Sequence, residues 1–178
     1  MHRLSALLLS LLPFATAIAV PVSLHEGTRI AVSASHGGER ISMDLAGRIW
    51  LVDPGNGLAR GLTPPGRIDR RPALSPDGSR IVYESRTGDR SQLWLVDTAG
   101  GQPRQITFGG FDHHSPAWHP DGHQIVMVSN RSGNDDLWAL NIDSLELQQL
   151  SFSTGNERDP AYSADGSRIA YVMHDATG

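Results

Sequence analysis

The sequence predicts an all-β fold: an incomplete β-propeller of about 3.6 four-stranded antiparallel blades, placed behind an export signal. Three observations carry this. A 44-residue period runs through the chain. Each period holds four short runs of β-branched and aromatic residues, separated by turn formers. No stretch after Val20 spaces its apolar residues as an amphipathic helix must.

The elements follow in chain order. Met1-His2-Arg3 is a short basic start, and Leu4 to Leu12 is nearly unbroken apolar sequence that Pro13 interrupts. Small residues follow at Ala15-Thr16-Ala17 and Ala17-Ile18-Ala19, and no acidic residue precedes Glu26. This is the layout of a cleaved secretory signal over residues 1–19, so a periplasmic or secreted product is expected. Leu4 to Val20 spans only 17 residues, short of a membrane helix, and no membrane span is expected after its removal.

Residues 20–178 then form the propeller arc. The stretch Arg71-Pro72-Ala73-Leu74-Ser75-Pro76-Asp77-Gly78 matches Ser115-Pro116-Ala117-Trp118-His119-Pro120-Asp121-Gly122, and again Asp159-Pro160-Ala161-Tyr162-Ser163-Ala164-Asp165-Gly166. Trp50, Trp94 and Trp138 keep the same step of 44, as do Leu62-Thr63, Ile106-Thr107 and Leu150-Ser151. The units fall at about 27–63, 70–107, 114–151 and, as a half blade, 158–178.

Within a unit, an inner strand ends at Ala73-Leu74-Ser75. Ser-Pro-Asp-Gly suits a type I turn, with Pro fixing φ and Asp able to bond the backbone beyond it. Arg80 to Ser85 is the second strand, Arg86 to Arg90 a polar hairpin, Gln92 to Asp97 the Trp-bearing third strand, and Pro103 to Thr107 the fourth. The first copy departs from this, with Ser35-His36-Gly37-Gly38 at the turn and a hairpin four residues shorter around Asp44-Leu45-Ala46-Gly47. Closed propellers need about four to eight blades. The arc is therefore expected to be part of a longer protein, or to complete its ring by self-association.

Composition narrows the chemistry. With no Cys, cysteine-ligated zinc, iron–sulfur clusters and thiol nucleophiles are excluded. All 15 basic residues are Arg, which removes Schiff-base lysines and the phosphate loop that needs Lys. A net charge of -4 speaks against a nucleic-acid partner. Neither a Gly-x-Ser-x-Gly elbow nor a His-x-His pair occurs, so no catalytic residue, metal site or cofactor is expected in this chain. Asp112-His113-His114 is the most metal-like cluster, but adjacent residues on a strand point to opposite sides. The periodic Trp residues read as packing between blades.

The Pro-Ala-Leu and Pro-Ala-Trp starts, the Ser-Pro-Asp-Gly turn, the Trp strand, the Gly-Gly turn and the closing Leu/Ile-Thr together resemble the WD-like propeller repeat of TolB and tricorn proteases. The resemblance covers residues 27–175, and Ser129 to Trp138 is a close copy of that family's hairpin and third strand. Glu26-Gly27-Thr28 and the shortened hairpin Ile41 to Trp50 look like the amino-terminal propeller of exported amidohydrolase-type proteins. That resemblance implies a noncatalytic module scaffolding or gating a downstream catalytic domain. A TolB-like periplasmic protein-interaction propeller, or the propeller of a prolyl-oligopeptidase or dipeptidyl-peptidase type enzyme, are the alternatives. Recognition, by a catalytic domain or a protein or peptide at the channel, is expected where the copies differ just before each repeated Pro. The segments are Asp69-Arg70-Arg71, His113-His114-Ser115 and Glu157-Arg158-Asp159, and the binding residues expected in them are Asp69, Arg70, Arg71, His113, His114, Glu157, Arg158 and Asp159.

Overall fold

The computed structural model describes residues 30–174; the expected export signal at 1–19, residues 27–29 of the first unit and the tail from 175 lie outside them. The described chain is all β. Blade 1 contains β1 (Val32–Ala34), β2 (Ile41–Leu45), β3 (Arg48–Asp53) and β4 (Leu58–Gly61). Blade 2 contains β5 (Asp69–Leu74), β6 (Arg80–Thr87), β7 (Arg90–Asp97) and β8 (Arg104–Gln105). Blade 3 contains β9 (His113–Trp118), β10 (Gln124–Ser129), β11 (Asp136–Asn141) and β12 (Leu147–Gln149). The half blade holds β13 (Asn156–Tyr162) and β14 (Ile169–His174). Each sheet is an antiparallel meander in sequence order, as the propeller reading requires. Among the described residues, no helix is long and apolar enough to cross a membrane.

The turns obey their sequence. Gly78 has φ 68° and its amide donates to the Ser75 carbonyl at 2.8 Å, while Asp77 accepts from the Ser79 amide at 3.0 Å. Hydrogen bonds from the Ser75 and Ser79 hydroxyls and the Ser79 amide hold the Asp77 carboxyl down at about 2. The divergent Ser35-His36-Gly37-Gly38 makes the same turn, with the Gly38 amide donating to the Ser35 carbonyl at 2.8 Å. The hairpin expected over Arg86 to Arg90 is tighter than its composition suggested. Strands β6 and β7 pair out to Thr87 and Arg90, leaving only Gly88-Asp89 in the turn. In blade 1, Leu45 pairs with Arg48 around Ala46 and Gly47, at φ 52° and 72°, the doubly positive geometry of a type I′ turn.

Successive sheets stack because each strand presents its two faces to two neighbours. Ile81 and Tyr83 of β6 pack with Ile49 and Leu62 of blade 1. The residue between them, Val82, turns the other way and packs with Trp118, Ile125 and Met127 of blade 3. Val126 and Val128 then meet Tyr162 and Ile169 of the half blade. Arginine straps reinforce the seams: Arg40 donates to the Gly78 carbonyl at 2.8 Å, and its counterpart Arg80 to the Gly122 carbonyl at 2.7 Å. The periodic Trp residues are half-buried at these seams, and each lies under a guanidinium. Arg48 stands 5.0 Å from the Trp50 ring, Arg67 4.3 Å from Trp94, and Arg131 4.9 Å from Trp138.

The closing Leu-Thr landmark has a hydrogen-bonding cause. Thr63, Thr107 and Ser151 offer their hydroxyl oxygens to the amides of Ile49, Leu93 and Leu137, at 3.0, 2.8 and 2.8 Å. Those amides lie on the third strand, beside a fourth strand too short to supply a carbonyl for them.

Candidate functional site

The inner strands β1, β5, β9 and β13 stand side by side along the concave side of the arc. Each of β5, β9 and β13 carries a bulge where the pairing register slips, between Arg70 and Ala73 in β5, opposite Val126–Val128 in β9, and between Arg158 and Ala161 in β13. Arg71, Ser115 and Asp159, each just before a proline, occupy the left-handed region at φ 47°, 52° and 49°. A non-glycine residue there costs roughly 1–2 kcal/mol, and the same cost is met at one position in three consecutive blades. A bulge re-aims a side chain. Here the three side chains turn into one recess of about 330 Å³, walled by Pro72, Pro116, Pro160 and Ala31.

Inside the recess the three blades meet. Arg71 Nη1 donates to Ser115 Oγ at 2.7 Å and lies 3.7 Å from Asp159 Oδ1. Ser115 Oγ is 3.5 Å from the same Asp159 oxygen. Carboxylates of the preceding blade hold the bulges from behind. Asp44 Oδ2 accepts from the Arg71 amide at 2.8 Å, and Glu84 Oε1 from the Ser115 amide at 2.7 Å. Burial pushes the Glu84 carboxyl above its ordinary range, against the opposing pull of the Ser115 amide and of Arg71, which stands 3.8 Å away. Val128 takes the corresponding position in blade 3 and offers no such acceptor.

The eight residues expected at the channel rim divide into three layers. Asp69, His113 and Glu157 are corrected: all three are fully buried, standing behind the channel wall rather than on it. Asp69 and His113 open their strands and Glu157 is the second residue of β13. Asp69 lies 3.4 Å from Arg67 Nε. Glu157 accepts from the Leu137 amide at 3.1 Å, from Ser153 Oγ at 3.0 Å and from Ser151 Oγ. Burial first, and then the charge of Arg131, lowers the His113 imidazole to about 4. The second layer, Arg70, His114 and Arg158, stays outside the lining of the recess. Arg70 and Arg158 are exposed, and His114 sits 3.9 Å from Asp135. Only the third layer, Arg71 and Asp159, reaches the recess, with side chains 53% and 65% exposed.

Two members of the site, Asp44 and Glu84, escaped the sequence reading. Ser115 lies within the varied segment His113-His114-Ser115, on the same 44-residue step as Arg71 and Asp159, but carries no charge and is not among the binding residues expected there. Asp44 and Glu84 were detectable as carboxylates three residues past Ile41 and Ile81, where the other copies have Val128 and Val172. The metal-like cluster at 112–114 comes apart in space. Asp112 binds Arg90 at 2.9 Å, His113 is buried and His114 turns toward Asp135. Among the described residues, no three His, Asp or Glu side chains gather as a metal site needs.

No protein-family model matches the sequence, and no curated protein matches it. Solved structures do match in fold. A TolB of Agrobacterium tumefaciens superimposes with a TM-score of 0.69 at 23% identity, over 80% of this chain and 53% of its own. TolB from Acinetobacter baumannii gives 0.72 at 19%, over 84% and 39%. A puromycin hydrolase gives 0.66 at 17%, over 82% and 25%. The chain thus spans about half or less of the length of these neighbours. The bulged inner strands, the meander sheets and these superpositions agree on the architecture: the chain is an arc of a TolB-like β-propeller.

Proposed function

We propose that the chain is a noncatalytic propeller module that receives a polypeptide partner in its axial groove. The observation that carries this is the convergence of Arg71, Ser115 and Asp159 from three blades into one recess, each held in an unfavourable backbone conformation. Backbone strain repeated at a concave surface marks a site more readily than a packing need, since the neighbouring prolines and core residues require no left-handed residue there. The export signal expected over residues 1–19 makes an envelope or secreted partner the natural one.

A second reading is favoured by the puromycin hydrolase, three quarters of which lies outside the likeness. In it the module scaffolds or gates a catalytic domain of a longer exported hydrolase, amidohydrolase-like or peptidase-like, and the groove filters what reaches that domain. Both readings leave chemistry to another domain or protein.

The test is to present the purified chain with a library of random octapeptides and with amide substrates. Saturable peptide binding that Ser115→Trp abolishes, in a variant that still melts cooperatively, supports the groove as receptor. Turnover of an amide, or stoichiometric bound zinc, overturns the noncatalytic assignment.

A further inference from the structure

We propose that Arg71 is the anchor of the groove and that it takes a carboxylate of the polypeptide, resting on the reading of the groove as a polypeptide receptor. The guanidinium is held by one edge only. Nη1 makes the contacts to Ser115 and lies near Asp159 and Glu84, whereas Nε and Nη2 make no hydrogen bond among the described residues. That pair of parallel N–H groups is the fork that a carboxylate fits bidentately. The bulge presents it: with φ at 47° and its amide pinned by Asp44, the residue aims into the recess rather than along the sheet.

The surrounding charge agrees with an anionic ligand. At the bulges that form the recess, the exposed charged residues among those described are Arg70, Arg71 and Arg158 against one carboxylate, Asp159, in a chain whose net charge is -4. Glu84 does not cancel this, because it is buried, bonded to the Ser115 amide and pushed toward its neutral form. The rest of the lining selects the class of molecule. Pro72, Pro116 and Pro160 offer aliphatic walls, and among the described residues no aromatic ring lines the recess as a platform for a sugar. An extended peptide with a small or branched side chain beside its carboxylate fits this lining.

The experiment titrates the chain by calorimetry with four probes: acetyl-Ala-Leu-Ala-Ala with a free carboxyl terminus, the same peptide amidated, an amidated acetyl-Ala-Leu-Glu-Ala, and digalacturonate. Arg71→Asn removes the fork while keeping a side chain that tolerates positive φ, and Arg71→Lys restores charge without the fork. The expected result is binding of one or both carboxylate peptides, at least about tenfold tighter than the fully amidated peptide. That preference is lost in Arg71→Asn and only partly regained in Arg71→Lys. Which of the two peptides wins tells a chain terminus from an acidic side chain. Equal binding of all peptides, unchanged in Arg71→Asn, overturns the anchor and leaves the receptor reading standing. Binding of digalacturonate alone overturns the polypeptide as ligand. Failure of every probe to bind, while the octapeptide library still does, removes the carboxylate anchor; failure of both removes the receptor reading as well.

Discussion

Replacing Thr107 by Val tests the cause assigned to the closing Leu-Thr landmark. The side chain keeps its shape and loses one oxygen. Thr107 is 1% exposed, accepts from the Leu93 amide at 2.8 Å and donates to Gln92 Oε1 at 2.9 Å. Leu93 is 0% and Gln92 2% exposed, so neither water nor another strand relieves the two groups left behind. An unsatisfied buried polar group costs about 1–3 kcal/mol, and two of them sharing one lost partner give about 2–4 kcal/mol. Urea unfolding followed by Trp fluorescence is the assay. With a slope of roughly 2 kcal/mol per molar for a chain of this size, the midpoint falls by about 1–2 M at unchanged slope. Thr107→Ser keeps the oxygen and trims a methyl, and loses no more than about 1 kcal/mol. A Thr107→Val midpoint within about 0.3 M of the parent refutes the argument, because the Leu93 amide then needs no hydroxyl and the landmark has another cause.

Gly47→Ala sets a methyl against the Arg67 carbonyl at φ 72°, and is expected to cost about 2 kcal/mol or more in thermal unfolding. Gly88→Ala, at φ 63° with open space around it, costs only about 1 kcal/mol. His113→Gln reads out pH linkage. The native imidazole, buried among Arg131, Asp112 and His114, is held near 4 against 6.5 when free, so the unfolded chain binds the extra proton between those values. Stability credited to neutral His113 is therefore complete above about pH 6.5 and is lost as pH falls toward 4. The variant flattens that part of the stability profile, and a profile unchanged by the substitution contradicts the buried neutral ring.

The sequence exposed the repeat and concealed what the repeat does at its inner edge. Trp50, Trp94 and Trp138, the Asp-Gly turns and the Thr63, Thr107 and Ser151 hydroxyls each answer a local demand that recurs in every blade, and recurrence made them readable. The rim was harder for a reason of backbone geometry. Reading Asp69-Arg70-Arg71 as a plain strand sends the first and third side chains the same way, but the bulge after Arg70 breaks that alternation. Asp69 goes into the seam and Arg71 into the groove, at a φ that no residue type announces. The following proline pointed elsewhere, since it favours extended backbone in the residue before it. The tightened Gly88-Asp89 turn was missed because polar Arg86 and Arg90 look like loop residues, although strand pairing holds both.

These placements suggest how one blade design carries different recognition residues. The bulge conformation comes from the chain around it: the slipped register of the inner strand and, in two blades, a carboxylate of the preceding blade on its amide. Since the backbone sets φ near 50° whether the residue is Arg, Ser or Asp, the side chain at that position is free to change without altering the strand. The seam position two residues earlier is under the opposite constraint. Asp69, His113 and Glu157 are all enclosed: the two carboxylates are met by Arg67 and by the Ser151 and Ser153 hydroxyls, whereas burial and the charge of Arg131 keep the His113 ring neutral. Exchanging residues among the seam positions would strand a charge in the interior, whereas exchanging Arg71, Ser115 and Asp159 among themselves would redraw the groove and leave the blades intact.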